Sequence, residues 1–553
     1  VTSIGPKGSL CLMAGLEGIK TVVGQYATSH IPEDLANSRF LLVWGHNPKA
    51  TSSPFYKFTR KARQAGARMI VVDPVKSETA LEADEWLPLK PSTDIALALA
   101  MLQVIIDRHL YDADFVEKHT VGFGKFVEHI QRFTPENAAK TCGVDAALIR
   151  DTAIDYAAVK PAALLAGMGA QHYTWGYDSL RCLAFLAAVT GNFGVRGGGL
   201  YYSTGSYFIT YNMEALTLSS MGVSRKEIPP VAVAQHILDA KPTPTRVLFV
   251  AGSNPAVQLP HLAKAHAAFD AVGFKVVVDH FMTPTARMAD LVLPAASTLE
   301  YDDVRNSHGQ PYIQMVNKAV NPPDDARTEY EIFGDLAGRL GLKQHFNAEY
   351  LQIVDEVLRP TGLTVNMLKQ LGFAKAGIPD IPFQDRRFPT PSGKIEFESS
   401  SMKTAGLDTL PCFQPPPEGI YSPLNHRYPL VLITHKAYPM LNSQFTSAST
   451  SKKPNRGPRL FINPTDASHR GIADGDFVEV SNDRGRCRVK AEVTPRVREG
   501  VVVLPTGWWT DHYTEGSYNF LTSDRYTHLG KNAIYNEALV EVNAYDMVNP
   551  HSE

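Results

Sequence analysis

Cysteine is scarce in this chain of 553 residues, which has only five, at positions 11, 142, 182, 412 and 487. Their odd number and wide spacing argue against a disulfide framework, a zinc ribbon and an iron–sulfur cluster held by cysteines of this chain. Long apolar runs are lacking as well, because no stretch reaches the ~18 residues that a membrane-spanning helix needs. We therefore expect neither a cysteine-held cluster nor direct membrane insertion.

An excess of charge of one sign is also missing. Lys and Arg number 54 against 56 Asp and Glu, which gives a net charge of −2. This balance offers no electrostatic footprint for DNA, RNA or an anionic membrane, so nucleic acid is not an expected partner. The sequence shows no signal peptide. It opens on Val1 rather than Met, so we expect any targeting signal to lie upstream.

The composition is that of an ordinary globular protein, 44% hydrophobic and 20% charged. The length predicts roughly three or four domains. We expect two α/β domains of the Rossmann-like, three-layer kind with parallel sheets, then a Pro-rich linker and a six-stranded β-barrel. The predicted boundaries are 1–200, 201–400, 401–425 and 426–553. The barrel prediction rests on short strands separated by turn residues, at 428–434, 459–463, 476–482, 486–493, 501–505 and 538–543.

A βαβ unit is predicted between residues 40 and 94. FLLVWG predicts a short buried strand, HNP a turn, residues 52–65 a helix, and RMIVV a second strand that ends at Asp73. An acidic residue at that strand end suits a ribose or a guanine edge. The glycine fingerprint of dinucleotide-binding turns is absent, so a simple capped turn is an equally good interpretation.

A looser copy of this unit follows about two hundred residues later. It consists of VLFVAGSNP at 247–255 and VVVDHFMTPTARMADLVLP at 276–294. Both copies place a small polar loop after one strand and an acidic residue after the next, which is where open α/β sheets bind nucleotides. Two such sites predict a ligand with two nucleotide ends, or two copies of one ligand.

Two further positions are candidates for chemistry. Cys11 stands near the predicted start of a helix, where the helix dipole would lower the pKa of the thiol and favour a thiolate. The alternative is a small core residue, because free cysteine is often buried. Gln171 and His172 lie in the loop GMGAQHYTWG after a strand, although a lone histidine is more often structural than functional.

The predicted barrel carries three loops rich in His, Asn, Trp and Tyr: ITHKAYPMLNSQ, PTGWWTDHYTEGSYNFLTS and HLGKNAIYNEA. Such loops suit packing against a large heteroaromatic ligand.

Taken together, these motifs resemble the molybdopterin-guanine-dinucleotide oxidoreductases, the superfamily of dimethyl sulfoxide reductase and formate dehydrogenase. The matching segments occur in family order from about residue 8 to residue 543. They are WGHNP, VVDPVKSETA, ADEWLPLKPSTDIALALAML, YDADFVEKHTVGF, GMGAQHYTWG, VTGNFGVRGGG, AGSNPA, VVVDHFMTPTARMADLVLPAASTLE, TPSGKIEF and INPTDASHRGIADGDFVEVSNDRG.

The resemblance implies a bis-molybdopterin guanine dinucleotide cofactor around one Mo or W, and hence a duplicated nucleotide site. It assigns one guanosine end, with a neighbouring glycine loop, to Gly45, Asn47, Asp73, Asp94 and Gly169. It assigns the other end to Gly252, Ser253, Asn254, Asp279, Thr283 and Asp290. The barrel contacts that it implies are His435, Asn442, Trp508, Asn519 and Asn536.

The resemblance also implies catalytic roles. Cys11 takes the position of the protein ligand to the metal, and Gln171 and His172 match a loop near the metal and the pterin. The four-cysteine iron–sulfur domain of the family has no counterpart here. An iron–sulfur electron-transfer domain or separate subunit is therefore an expected partner. The resemblance is consistent with a protein of either the cytoplasm or the periplasm of a bacterium or archaeon.

The implied activity is two-electron chemistry on a small substrate such as formate, nitrate, polysulfide or thiosulfate. A Cys ligand disfavours the Ser-ligated sulfoxide reductases. Two alternatives stay open: a non-redox hydratase or lyase on the same cofactor, and a truncated or inert scaffold subunit. Fold alone does not select among them.

Overall fold

A computed structural model describes most of the chain, in three bodies: two α/β domains and a barrel. The described residues are 2–4, 9–202, 209–217, 226–241, 243–307, 310–323, 325–346, 348–438, 440–446 and 457–545. Among the helices in these ranges, none is both long and apolar enough to cross a lipid bilayer.

The first α/β domain is built on a five-stranded sheet in which every pairing is parallel. In spatial order the strands are Glu85–Leu87, Arg68–Val72, Phe40–Trp44, Ala162–Ala166 and Gly199–Tyr201. Alternate residues of each strand face opposite sides, so Phe40 and Leu42 enter one core and Leu41 and Val43 the other. Helices cover both faces, which confirms the three-layer prediction.

The helices of this domain follow the predicted pattern. The helix predicted at 52–65 is Ser53–Gln64. Pro54 is tolerated in its first turn, because the backbone N–H groups there have no partner within the helix and the missing N–H of proline costs nothing. The apolar helix Asp94–Asp107 is buried on nearly all sides. The other helices are Met13–Val23, Pro48–Thr51, Ala113–His119, Phe123–Ile130, Pro135–Cys142, Ala146–Ala158 and Gly176–Val189.

The second α/β domain has a smaller parallel sheet of three strands, Leu291–Pro294, Phe274–Asp279 and Val247–Ala251. The helices on one face include Val233–Asp239 and Leu262–Asp270, while Phe333 of Glu329–Arg339 packs on Phe249 from the other face. Further helices are Glu214–Thr217, Pro255–Gln258, Pro284–Arg287, Tyr350–Leu358 and Val365–Leu371. An antiparallel sheet of Asp303–Asn306, Tyr312–Val316 and Phe373–Lys375 adjoins it.

The stretch from Phe383 to Phe397, which the predicted boundaries place in the second α/β domain, packs into the core of the first. Ile395–Glu396 pairs in parallel with Thr120–Val121. Phe397 stacks on Phe126 with ring centroids 4.9 Å apart. Burial of its aromatic side chains therefore accounts for the packing of this segment on the first domain.

The C-terminal domain is a closed barrel made of the six predicted strands, in the order Arg459–Ile462, Val501–Val503, Leu430–Ile433, Ala538–Ala544, Phe477–Asn482 and Gly485–Val493. The first and last of these also pair with each other, which closes the barrel and leaves no free edge. The short strand Glu515–Gly516 adds to the outside.

The barrel contacts both α/β domains. Arg496 donates to the carbonyl of Lys76 and to the carboxylate of Glu78 in the first domain, at 2.9 and 2.7 Å. In the second domain, the carbonyl of Val257 accepts from Asn519 at 2.7 Å. One barrel thus closes over the loops that follow both parallel sheets.

Candidate functional site

The first predicted nucleotide loop is tightly constrained at the end of Phe40–Trp44. Gly45 has a φ of 55°, a left-handed conformation that favours glycine, and a Cβ there would meet the amide nitrogen of Ala170 at 2.8 Å. The Asn47 side-chain carbonyl accepts from both the amide and the hydroxyl of Thr79, at 3.1 and 2.8 Å. Gly169 donates to the Gly45 carbonyl at 3.2 Å, so the two glycine loops lie against each other.

The second loop repeats this construction. Gly252 has a φ of 58°, and the Asn254 side chain accepts from the amide and hydroxyl of Thr285, at 3.3 and 2.6 Å. Thr79 and Thr285 stand at the same offset after Asp73 and Asp279. Ser253 is exposed beside Gly252. The structure therefore supports the predicted duplication down to individual hydrogen bonds.

One difference separates the two loops. In the first, the Asn47 amide donates to Glu78 at 2.7 Å. In the second, the position after Thr283 is Pro284, and the side-chain nitrogen of Asn254 is buried with no partner among the described residues. A buried, unpaired amide N–H is costly, so this group calls for an acceptor supplied by a ligand.

Two acidic residues at the first sheet have raised pKa values. Burial raises the pKa of Asp73 to about 7, although the hydrogen bond from the amide of Val75 acts to lower it. Burial raises the pKa of Asp94 to about 7 as well, although Trp44 donates to its carboxylate at 2.7 Å. The N-cap residue Thr93 makes no side-chain capping hydrogen bond to the helix Asp94–Asp107.

The structure does not bring Asp290 to the ligand edge of the second sheet. Its carboxylate accepts from the amide of Lys275, at the amino end of Phe274–Asp279, whereas Asp279 ends that strand. At about 3.3 Å per residue the two ends are more than 10 Å apart. Its equivalent in the first domain is Asp84, which accepts from the amide of Met69 in the same way. Asp290 therefore has a structural role.

Thr283 and Asn519 make hydrogen bonds to residues that flank the second loop. The Thr283 hydroxyl accepts from the amide of Ala286 and donates to Asp279, at 3.2 and 3.3 Å. Asn519 is buried and holds the carbonyl of Val257, just after the loop. Both side chains are occupied by protein groups, so they support the loop rather than offer free donors.

Cys11 lies where the three bodies meet. Leu10 packs against the core of the second α/β domain, and Leu12 against that of the first. Ser9 pairs with the barrel segment 531–533, and its hydroxyl accepts from the amide of Cys11 at 2.8 Å. The thiol itself is exposed. These contacts present the thiol at an open junction of all three bodies.

The predicted lowering of the Cys11 pKa is wrong. The helix begins at Met13 and not at Cys11. Burial raises the pKa of the thiol, and the positive charge of Lys436 opposes this only in part. The thiol is reached by solvent yet closely surrounded by protein, as at the floor of a cleft. A thiolate there needs a further positive charge, such as a metal ion.

Gln171 is fully buried and is tied to the Cys11 segment. Its side-chain amide donates to the main-chain carbonyl of Cys11, and its carbonyl accepts from the amide of Gly15 at 2.7 Å. With both ends occupied, Gln171 positions Cys11.

His172 stays neutral at ordinary pH, because burial lowers its pKa to about 4. Its Nδ1 is 3.0 Å from the carbonyl of Ala533, which makes that nitrogen the donor and leaves Nε2 as an acceptor. The main-chain carbonyl of His172 accepts from Asn536 at 3.1 Å, and the ring lies edge-on to Tyr535. His172 and Asn536 therefore join the first domain to the barrel beside Cys11.

The barrel wall carries the other predicted residues. His435 is exposed, yet its pKa is lowered by the protein around it. Asn442 accepts from the ammonium group of Lys436 at 2.7 Å. Trp508 is buried against His512, on the side of the second domain, where Asp511 pairs with Arg287. His435 thus faces the first loop, and Trp508 lies towards the second.

Several contributors were not predicted from the sequence. Lys436 and Tyr535 lie inside two of the polar-aromatic barrel loops and Glu78 inside VVDPVKSETA, but none of the three was singled out. Arg496 lies outside the quoted motifs. Thr79 and Thr285 could have been found by aligning the two copies, and His46 by its place inside WGHNP. The Nδ1 atom of His46 is buried without a partner among the described residues, and burial lowers its pKa to about 4.

These features fit an elongated ligand with nucleotide ends. Asp73, His46 and His172 are half-buried, and desolvation by the surrounding protein shifts the pKa of each strongly towards its neutral form. The unpaired nitrogens of His46 and Asn254 lie in the two strand-end loops. The residues present therefore suit a ligand with one nucleotide end at each loop.

Comparison with known families agrees. Residues 2–339 match the family model described as molybdopterin oxidoreductase, and residues 430–539 match the molybdopterin dinucleotide-binding domain. The chain belongs to the molybdopterin oxidoreductase family. It is an enzyme of the molybdopterin-dependent oxidoreductase kind, and membership implies a bis-molybdopterin guanine dinucleotide with Mo or W.

Individual relatives cover nearly the whole chain. A probable oxidoreductase, YoaE, of Bacillus subtilis is 32% identical over 97% of this chain and 78% of its own length. The F420-dependent formate dehydrogenase subunit alpha of Methanocaldococcus jannaschii is 30% identical over 94% and 78%. Among solved structures, acetylene hydratase from Pelobacter acetylenicus matches with a TM-score of 0.79 and 25% identity, over 97% of this chain and 81% of that one.

Proposed function

We propose that this oxidoreductase carries out two-electron chemistry on a small substrate, such as formate, nitrate, polysulfide or thiosulfate, at a metal bound through Cys11. The observation that carries the proposal is the position of Cys11. Its exposed thiol lies where the two α/β domains and the barrel meet. Each α/β domain carries one of two equivalent loops, which end in Asn47 and Asn254. The cofactor, when bound, supplies the electron exchange.

The side chains around Cys11 take supporting roles in this proposal. The Cys11 thiolate is a soft ligand that suits a soft metal site. Gln171 fixes the main chain of Cys11 and thereby its direction. Neutral His172 offers Nε2 as a hydrogen-bond or proton acceptor beside the substrate.

Each guanosine end is proposed to lie against one strand-end loop. Gly45, with Asp73 and Asp94, receives the first end, where two carboxyl groups with raised pKa values can accept from or donate to a purine edge. Gly252, Ser253 and Asn254, with Asp279, receive the second. Gly169 and His435 line the path between the first loop and Cys11.

Electrons are proposed to pass to or from an iron–sulfur domain or subunit. Of the cysteines of the chain, Cys142, Cys182 and Cys487 are buried singly and Cys412 is half-buried. No group of three or more metal-binding side chains occurs among the described residues. A partner is therefore included in the proposal, and its identity is open.

The test is to produce the chain in a host that makes the cofactor, and to measure Mo, W and released guanine nucleotide per chain. Viologen-linked turnover is then measured with formate, nitrate, polysulfide and thiosulfate. We expect metal and nucleotide to copurify, with turnover of at least one substrate. A chain that carries neither after expression in a competent host contradicts the proposal and leaves the inert scaffold.

A non-redox hydratase is the second candidate, because one of the solved structures that match the chain is an acetylene hydratase. The distinguishing measurement is hydration of acetylene without viologen turnover by the metal-loaded chain. That outcome favours the second candidate, and viologen turnover with acetylene untouched favours the first.

A further inference from the structure

Lys436 is an exposed cation on the barrel loop beside Cys11, and no role has been assigned to it so far. It lies three residues after the barrel strand Leu430–Ile433, and its backbone is fixed there because the amide of Thr506 donates to His435 and that of Ala437 to Thr506, at 2.9 and 3.1 Å. The ammonium group donates to Asn442 at 2.7 Å. The neutral side chain of Asn442 therefore fixes the position of the Lys436 ammonium group without neutralising its charge.

A continuous set of hydrogen bonds places this loop beside Cys11. The amide of Thr434 donates to the Asn536 side chain at 3.0 Å, and the amide of Asn536 donates to the carbonyl of His172 at 3.1 Å. The neighbouring Gln171 holds the carbonyl of Cys11. The positive charge of Lys436 acts to lower the pKa of both Cys11 and His172. Burial has the larger effect on each residue: it raises the pKa of Cys11 and lowers that of His172.

The positive charge of Lys436 is not neutralised by protein. No carboxylate lies within ion-pair distance of its ammonium group in the described part of the chain, and its recorded partner is the neutral Asn442. His172 nearby stays neutral. The Lys436 side chain is exposed to solvent, yet enough protein surrounds it to lower the pKa of its ammonium group. A partly desolvated positive charge without a counter-ion favours an anion.

We propose that Lys436, held by Asn442, binds the anionic group of the substrate beside Cys11, so that the substrate is a small carboxylate or oxyanion rather than a neutral oxide or an alkyne. This inference rests on the proposed function and narrows it. The same cation could instead hold a phosphate of the cofactor. The hydrogen-bonded path from its loop to Cys11 through Asn536, His172 and Gln171 favours the substrate.

The test uses the metal-loaded chain and the variants Lys436→Met and Lys436→Arg. Lys403→Met, an exposed lysine on the short helix Ser400–Thr404, controls for the loss of one charge. Formate and nitrate are the anionic substrates, and dimethyl sulfoxide and acetylene the neutral ones. Thiocyanate binding, followed by the visible spectrum of the loaded chain, reports on anion affinity without turnover.

We expect turnover with an anion and not with the neutral compounds. Lys436→Met should raise KM for that anion at least 10-fold with a smaller change in kcat, and weaken thiocyanate binding similarly, at wild-type metal and guanine content. Lys436→Arg should stay within a few-fold of wild type. High salt should reduce the difference between Lys436→Met and wild type.

Three results overturn the inference alone: turnover restricted to neutral substrates, unchanged KM and thiocyanate affinity in Lys436→Met, or loss of metal and guanine from that variant. The last outcome assigns Lys436 to the cofactor. A wild-type chain without metal and guanine overturns the proposed function itself, and with it this inference.

Discussion

The side-chain amide of Gln171 donates a hydrogen bond to the main-chain carbonyl of Cys11. Its carbonyl oxygen accepts from Gly15 at the same time, and the side chain is fully buried. One residue from the loop after Ala162–Ala166 thus fixes the main chain of the segment that carries Cys11. Rigid positioning of this kind is what a metal ligand needs.

Gln171→Leu should remove this support. Leucine leaves the carbonyl of Cys11 and the amide of Gly15 without partners, which costs about 2–4 kcal/mol of unfolding free energy. Metal content should fall because Cys11 is no longer held. Chemical denaturation and metal analysis measure the two effects. Gln131→Leu, which changes an exposed glutamine that bonds within its own helix, should alter neither.

Asn47→Leu and Asn254→Leu should behave in opposite ways. Without cofactor, Asn47→Leu should be the more destabilising by about 1 kcal/mol, because Asn47 makes an extra hydrogen bond to Glu78. With cofactor, Asn254→Leu should lose more guanine nucleotide, because the free amide of Asn254 is the group that awaits a ligand. The measurements are denaturation of the ligand-free chain and guanine content. Equal effects in both would contradict the predicted difference between the loops.

Gly45→Ala should lower cofactor content sharply. The new Cβ would be only 2.8 Å from the amide nitrogen of Ala170, so the loop that receives the guanosine end must move. Gly471→Ala is the matched control: its φ is 64°, and no heavy atom lies within 4 Å of the new Cβ. Both variants bear the strain of a left-handed alanine, about 1 kcal/mol, but only Gly45→Ala should lose guanine nucleotide. Equal retention would show that the close approach of the glycine loops is unimportant.

The ligand-free chain should become less stable between pH 4 and pH 8 through Asp94. The folded pKa of about 7 lies above the ordinary value of 3.8, so the folded chain holds a proton that the unfolded chain has lost. Stability is therefore full below pH 4 and declines as pH rises through 7. Asn in place of Asp94 can still accept from Trp44 and carries no charge.

Asp94→Asn should therefore match wild type near pH 4 and exceed it at pH 8 by an amount on the order of 2–4 kcal/mol. Denaturant titrations at the two pH values measure this difference. An offset that is the same at both pH values would show that Asp94 is not protonated in the folded chain.

The repeated βαβ pattern and the six barrel strands could be predicted because they depend on local signals. Phe40–Trp44, Arg68–Val72 and the barrel strands are short apolar runs bounded by turn residues, and all form where expected. The packing of Phe383–Phe397 on the first domain could not be predicted. It depends on long-range contacts such as Phe397 with Phe126, which leave no periodic signal.

The candidate site was predictable only where a motif carries it. Asn47 and Asn254 were found from their loops, and the structure adds that their partners are Thr79 and Thr285. Asp290 was assigned to the second guanosine end by resemblance alone, whereas its carboxylate accepts from the amide of Lys275 at the opposite end of the strand. Lys436 was missed because its role depends on how the barrel meets Cys11, which only the tertiary structure shows.

The most direct test of the central claim is X-ray absorption at the metal edge of the loaded chain and of Cys11→Ser. If the Cys11 thiolate binds the metal, Cys11→Ser should lose one sulfur neighbour of the metal while guanine content stays at the wild-type value. Identical sulfur coordination in the two proteins would contradict the claim that Cys11 is the metal ligand.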